Sequence, residues 1–582
     1  MSNSTSTMNT LTDLYPHLIH ASARAAELWA KVPGSHVVSL YIRNSYQNDP
    51  ARVVLELLLF FFAIKYLLSN RYSPRKDTIK LSEREIDELV DDWVPEPLVP
   101  GETDPVADRR NLDEVASIPV LTSGGGAKVK VEGSNRVVLN LASFDVFGLA
   151  NSERIKDKAI VALRKYGVGA CNPPGFYGTM DVHMQLERDI ARFIGADHAI
   201  LYAQGFSAIS SVVPAFSKRG DLVVVDEGVA FALQKGFQIS RSKIVFFKHN
   251  DMNDLEHKLA TIAAEDKRLK RPLYRKFILV EGIYTNSGDI APLPKLVELK
   301  ERFKYRLIVE ESCSFGVLGA NGRGITEHFG IPATKVDMLV GSLATSVGAS
   351  GGFCAGSLPI IDHQRLSASS YCFSAALPPM LAVAASEGLA YIEKEAPRIM
   401  PAMQANIRVI RDILAQVPCF ELLSSPESPL QHVRVARETL PFTFDPVDGL
   451  LDSESSFNTT NSTMSPRTGV LSLLGGSRAN SRNANNNRPV ALTGGPRRAE
   501  DVESIRLEQE SRFLQDIVKE SLENGVLVTR AKYNAEQEHA CPRPSLKIVV
   551  PSDLTRKEAE QAAKVVKAAA TKVIQAWAKA RK

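Results

Sequence analysis

The chain has 582 residues, 44% of them hydrophobic, which is too long for one compact core and ordinary in composition for a globular protein of at least two domains. Its formal net charge of +4 is small for this size and spread along the sequence, which argues against a nucleic-acid-binding role. Six cysteines (Cys171, Cys313, Cys354, Cys372, Cys419 and Cys541) form no Cys-x-x-Cys pair, which argues against a zinc site or disulfide framework and for a reducing compartment, with the bulk of the chain cytosolic.

In chain order, Met1 to Thr12 is polar and expected to be mobile, and Asn3-Ser4-Thr5 is a glycosylation sequon usable only on a luminal N-terminus. Leu14, Leu18, Ala21, Ala25, Leu28 and Trp29 recur with a helical period, fitting either a membrane-surface helix or a packing helix. No cleavable signal pattern stands at the start. Val53 to Leu68 is apolar except for Glu56 and Lys65, and the segment 51–69 is read as a tilted transmembrane helix, with an interfacial helix as the alternative. Arg71, Arg75, Lys76, Lys80 and Arg84 outweigh Arg43 and Arg52, so the positive-inside rule places 1–50 in a lumen and the rest in the cytosol. Residues 70–135 read as a charged helix from Ser82 to about Val90, followed by a proline-rich tether that begins at Trp93.

Short apolar runs then alternate with helical patterns: Ala199 to Tyr202, Leu222 to Val225, Ile244 to Phe247, Phe277 to Val280, Leu307 to Val309 and Met338 to Val340. Runs of this kind predict buried parallel strands, hence an α/β large domain over 136–385 with its site at the carboxyl ends of the strands. A smaller C-terminal α+β domain is expected over 386–582, with a helix from Ala499 to Asn524, a strand from Leu546 to Val550 and a final helix from Thr555. Residues 450–499 are rich in Ser, Asn, Thr, Gly and Arg and predict a disordered insertion that includes Ser465-Pro466 and sequons at Asn458 and Asn461.

Several pieces resemble, in order, the α-oxoamine synthases, a family of pyridoxal 5'-phosphate (PLP) enzymes with the aminotransferase-like fold type I. These are Asn140–Leu149, the Gly-rich Gly167–Glu187, Glu281–Leu293, Glu310–Gly319, Asp337–Phe353 and Phe373–Pro379. The departures carry more information. Thr345 stands where the family has the lysine that binds the cofactor, and a hydroxyl cannot condense with its aldehyde. Ala230 replaces the histidine that stacks on the cofactor ring. Glu310-Glu311-Ser312-Cys313 replaces Asp-Glu-Ala-His, so Cys313 stands for the imidazole and Glu310 puts the carboxylate on a longer stem.

This pattern is similar to one branch of the family, the lysine-less long-chain base subunit 1 of serine palmitoyltransferase. Gly167–Gly178, Tyr371–Ser374, the apolar N-terminal helix and the Trp93–Pro100 tether add to the likeness, although Asn172-Pro173 stands where that branch has Gly-Pro. The resemblance implies that this chain holds no catalytic residue of its own. It implies a heteromer with a lysine-bearing long-chain base subunit 2, which keeps the PLP and condenses L-serine with palmitoyl-coenzyme A to 3-ketodihydrosphingosine, the first step of sphingolipid synthesis. It further implies an endoplasmic-reticulum membrane location, a small activating membrane subunit, Orm-type regulators and contact with membrane lipids.

Cys171, Tyr177 and Ser374 are the implied contributors to a site shared between subunits, Ser374 through the phosphate of the partner's cofactor. Their plainer readings are a small core residue for Cys171 and a helix N-cap for Ser374. His183 is expected to serve structure, and Lys547 receives no assigned role. Lys335 precedes its strand and does not substitute for the missing lysine. The rival reading is a membrane-tethered pseudoenzyme scaffold or regulator with no part in a shared site. No metal site is expected.

Overall fold

A computed structural model describes residues 28–48, 50–68, 82–91, 115, 118–134, 136–444, 499–534 and 537–581. The Asn3 sequon, the proline-rich tether and the 450–498 part of the insertion, with Asn458, Asn461 and Ser465, lie outside them. The chain divides into two compact units, Met1–Ala116 and Ser117–Lys582.

In the first unit the helices Ser35–Asn48 and Pro50–Leu68 follow one another with a single residue between them, and Arg52 Nη2 donates to Tyr41 OH at 3.3 Å. The expected transmembrane helix is not seen: among the described residues no helix is long and apolar enough to cross a membrane. Pro50–Leu68 has 19 residues, about 28 Å at helical rise, and carries Arg52, Glu56 and Lys65. Arg52 Nε pairs with Glu56 at 3.0 Å, so the first turns are polar. From Leu57 to Phe62 every side chain is nevertheless exposed and apolar.

The second unit is built on a seven-stranded sheet. Its strands, numbered from β3, are β3 (His198–Tyr202), β4 (Leu222–Asp226), β5 (Lys243–Phe247), β6 (Lys276–Glu281), β7 (Arg306–Glu310), β8 (Met338–Ser342) and β9 (Gly352–Gly356), in the order β3-β9-β8-β7-β6-β4-β5. All six predicted runs are strands. β4 to β8 pair in parallel, and β9 runs antiparallel to both β8 and β3. β4 and β8 are buried at every position, as strands covered by helices on both faces must be. β9 was not anticipated, because Gly352-Phe-Cys-Ala-Gly356 reads as the tail of a glycine turn. Its glycines are required by space: a Cβ on Gly352 would meet the Ala208 Cβ at 2.7 Å.

A smaller antiparallel sheet contains β10 (Phe420–Leu422), β11 (Leu430–Val435), β13 (Thr529–Arg530) and β14 (Leu546–Val549) in the order β10-β11-β14-β13. A third sheet joins β1 (Lys128–Lys130), β2 (Val137–Asn140) and β12 (Val526–Leu527), with β12 parallel to β2. The helix Pro379–Leu414 connects the two larger sheets. The predicted final helix starts at a capping box: the Glu558 amide donates to Thr555 Oγ1 at 3.3 Å and the Thr555 amide to Glu558 Oε2 at 2.9 Å.

Candidate functional site

Three of the parallel strands end in acidic residues. Asp226 closes β4, Glu281 closes β6 and Glu310 closes β7, all buried. In this architecture ligands bind beyond the carboxyl ends of the strands, so this is where a site belongs.

Asp226 is fully occupied by its neighbours. It accepts the Gly228 amide at 2.8 Å, the Asn250 amide at 2.8 Å, the Tyr284 hydroxyl at 2.9 Å and His249 Nδ1–H at 2.8 Å. His249 gives its other ring N–H to Asp289 at 3.2 Å. Burial alone would lower its pKa, yet the two carboxylates raise it to about 10, so it is an imidazolium at neutral pH.

Glu281 and Glu310 are in register on adjacent parallel strands and therefore face the same way. Glu281 accepts the amides of Ala230 and Thr285, the latter at 2.8 Å, while Glu310 accepts that of Ser312 at 2.8 Å. Burial raises both carboxyls well above their ordinary range, and each is pushed further by a neighbouring carboxylate, Asp226 for Glu281 and Glu281 for Glu310. Burial also lifts the Cys313 thiol to about 12, and its Sγ lies 3.4 Å from Thr285 Oγ1. Such a thiol stays protonated and inert.

Thr345 lies in the turn after β8 and donates its hydroxyl to the Ser312 carbonyl at 2.7 Å. The cavity it shares with Phe144, Cys313 and Leu430 holds about 10 Å³, room for at most one water. Lys547 reaches this region from β14. Its ammonium sits 4.5 Å from the centre of the Phe144 ring, and burial lowers its pKa. Across the strand pair is His432, whose Nε2–H donates to the Thr285 carbonyl at 3.1 Å and whose pKa is driven to about 4 by burial, then by the charge of Lys547.

PLP needs an amine for its aldehyde, a face for its ring and an anionic carboxylate for its ring nitrogen. Thr345 is a hydroxyl already committed to Ser312, Ala230 is a methyl group whose N–H is held by Glu281, and burial favours the neutral acid at Glu310. The residues present do not fit the cofactor.

Cys171, Tyr177 and Ser374 lie elsewhere, on one continuous surface. The Ala376 amide donates to the Asn172 carbonyl at 2.9 Å and so joins the two segments that carry them. Both plainer readings are corrected. Cys171 is exposed rather than a core residue, and Ser374 ends the short helix Ser369–Phe373 rather than capping the start of one. Cys171 and Tyr177 hold left-handed backbone with φ of 58° and 67°, an unfavourable state for side chains of this kind. Tyr177 is 98% exposed, beside exposed Phe176 and Phe373. His183 is structural: Nε2–H donates to the Leu377 carbonyl at 2.6 Å and Nδ1 accepts the Met180 amide at 3.0 Å.

The sequence reading passed over Glu281 and His249. The available signal was an acidic residue closing a buried apolar run at Glu281; nothing local marks His249, whose partners lie 23 and 40 residues away.

Residues 136–443 match the family model described as Aminotransferase class I and II. Serine palmitoyltransferase 1 of Saccharomyces cerevisiae is 35% identical over 553 residues, 92% of this chain and 92% of that protein. Long chain base biosynthesis protein 1b of Oryza sativa subsp. japonica is 44% identical over 387 residues, 66% of this chain and 77% of its own length. Among solved structures, a serine palmitoyltransferase of Sphingomonas wittichii aligns with a TM-score of 0.61 at 20% identity, covering 81% of this chain and 97% of that one, which establishes a shared fold. With its strand-end carboxylates, its lysine-less turn and these relatives, the chain belongs to the family of serine palmitoyltransferase 1 and long chain base biosynthesis protein 1, within the aminotransferase class I and II fold.

Proposed function

We propose that this chain is the noncatalytic subunit of a serine palmitoyltransferase, active only in a heteromer whose lysine-bearing second subunit holds PLP. That assembly condenses L-serine with palmitoyl-coenzyme A to the 3-keto long-chain base. The observation that carries the proposal is Thr345, a hydroxyl where the family has its cofactor-binding lysine, already bonded to the Ser312 carbonyl at 2.7 Å.

The chain's own contribution is then positional. The strained loop through Cys171 and Tyr177, with the neighbouring Ser374 segment, presents exposed apolar side chains against the second subunit and completes the wall of its site. Ser374, exposed at the end of its short helix, offers a hydroxyl to that site, including to the phosphate of the cofactor bound there. The Pro50–Leu68 helix, with its apolar surface uncovered, anchors the assembly at the endoplasmic-reticulum membrane, where a long-chain acyl substrate and a lipid product partition. Small membrane subunits and Orm-type regulators complete the assembly.

The test is serine-dependent acyltransferase activity and cofactor absorbance, measured for the purified chain and for the chain co-expressed with a lysine-bearing subunit. We expect the chain alone to be colourless and inactive and the pair to be active. Turnover with a cofactor band from the chain alone would refute the proposal.

A further inference from the structure

Two short segments build the surface around Tyr177 and Ser374. The loop 171–178 closes on itself, with the Phe176 and Gly178 amides both donating to the Pro173 carbonyl, at 2.9 and 3.0 Å. The helix Ser369–Phe373 has five residues, too few to hold its own place. Its start is tied by the Ser370 amide, which donates to Ser211 Oγ at 3.1 Å, and the chain just beyond it by the bond from the Ala376 amide to the Asn172 carbonyl.

Packing does not complete the join between them. A cavity of about 20 Å³, bordered by Pro174, Thr179, His183, Glu187, Tyr371 and Leu377, leaves room there for about one water. Two of its walls are held by one guanidinium. Arg365 donates from Nη2 to Glu187 Oε2 at 2.9 Å and from Nη1 to the Tyr371 hydroxyl oxygen at 2.8 Å. Glu187 stands on the helix Asp181–Ile194 that follows the loop, and its other oxygen accepts the Leu201 amide of β3 at 3.3 Å. Tyr371 is buried on the short helix that leads to Ser374. One side chain thus ties the helix behind the loop to the helix before Ser374.

We infer that Arg365, acting through Tyr371, is a positioning residue: it fixes the Ser374 segment relative to the 171–178 loop and so sets the shape of the wall offered to the second subunit. A guanidinium suits this task because its planar fork holds two acceptors in fixed directions, which an ammonium cannot do. The Tyr371 hydroxyl is the joint, while its ring packs edge-on against Tyr202 with centroids 6.2 Å apart. The effect on a shared site rests on the function proposed above; the tie between the segments does not.

The experiment has two arms, each on Y371F and R365K. In the full-length chain alone, hydrogen exchange is followed at single residues. The Ala376 amide, whose acceptor lies on the other segment, should exchange about tenfold faster in both variants, while the Gly178 amide, bonded within the loop, keeps its wild-type rate. No change at Ala376, or equal acceleration at both amides, overturns the inference, the second because it reports general loosening. In the chain co-expressed with the lysine-bearing subunit, KM for L-serine should rise about fivefold, with kcat within about twofold of wild type and the pair recovered in wild-type yield. Unchanged KM, or a loss of yield alone, overturns the positioning role. If the wild-type pair shows no serine-dependent turnover, the functional reading fails and the exchange arm alone decides the tie. Should Y371F fail to fold, R365K carries both arms, since lysine keeps the charge and loses the fork.

Discussion

Thr345 spends its only donor on the Ser312 carbonyl, a bond worth about 1 kcal/mol net. Replacing it by lysine restores the amine while Ala230 still offers no ring face and burial still favours the neutral acid at Glu310. T345K is therefore expected to show no cofactor absorbance, and a band with serine-dependent turnover from this single variant would mean that the ring face and the carboxylate are not needed.

The Glu281–Glu310 pair gives a pH prediction. Both folded-state pKa values lie above the unfolded value near 4.5, so their contribution to stability is complete below that pH and is lost as pH rises through the folded values. E310Q cannot ionise, and thermal melts should show its stability falling less than wild type between mildly acidic and alkaline pH. Identical profiles would mean that the pair does not share this strain. The departures at Thr345, Ala230 and Cys313 were legible only through the resemblance to the α-oxoamine synthases, which supplies the functional groups that these residues lack. The convergence of Glu281, His432 and Lys547 was not, because it depends on packing between segments more than 100 residues apart.

At the level of elements, the six predicted strands were legible because burial leaves continuous apolar runs, although β3 pairs antiparallel with β9 and only β4 to β8 pair in parallel. β9 escaped because it is short and glycine-bounded, and its strand state is imposed by β3 and β8 on either side. The 36-residue helix Pro379–Leu414 carries Pro397 and Pro401 in its interior at exposed positions, so the carbonyls four residues earlier lack their usual donors. Restoring an N–H by P397A or P401A should stabilise the second unit by ~1–2 kcal/mol, after allowing for the greater freedom of the unfolded chain. Urea denaturation midpoints will show this as an increase, and a decrease would mean that the prolines fit a shape the helix needs.

On the scale of the whole molecule, the chain displays Phe176, Tyr177 and Phe373 on one exposed surface. A lone protein gains nothing from that arrangement, while an assembly does. Y177D and F373D should leave the melting temperature of the isolated chain within a degree or two, because exposed side chains contribute little to folding. They should sharply reduce co-purification with the lysine-bearing subunit; undiminished recovery would move the interface elsewhere. Exposure at Cys171 and Ser374 could not be read from sequence, since small residues occur in cores and on surfaces alike.

The sheets also determine how the chain tolerates a break. β11 lies before the 445–498 segment and β14 after it, yet they pair from Leu430↔Val549 to Val433↔Leu546, and β12 lies parallel against β2. The polypeptide after residue 498 completes two sheets begun before residue 445, so strand pairing as well as the covalent chain holds these two parts together. Two fragments that end before residue 445 and begin after residue 498, expressed separately, should therefore reassemble as complementary halves of one particle.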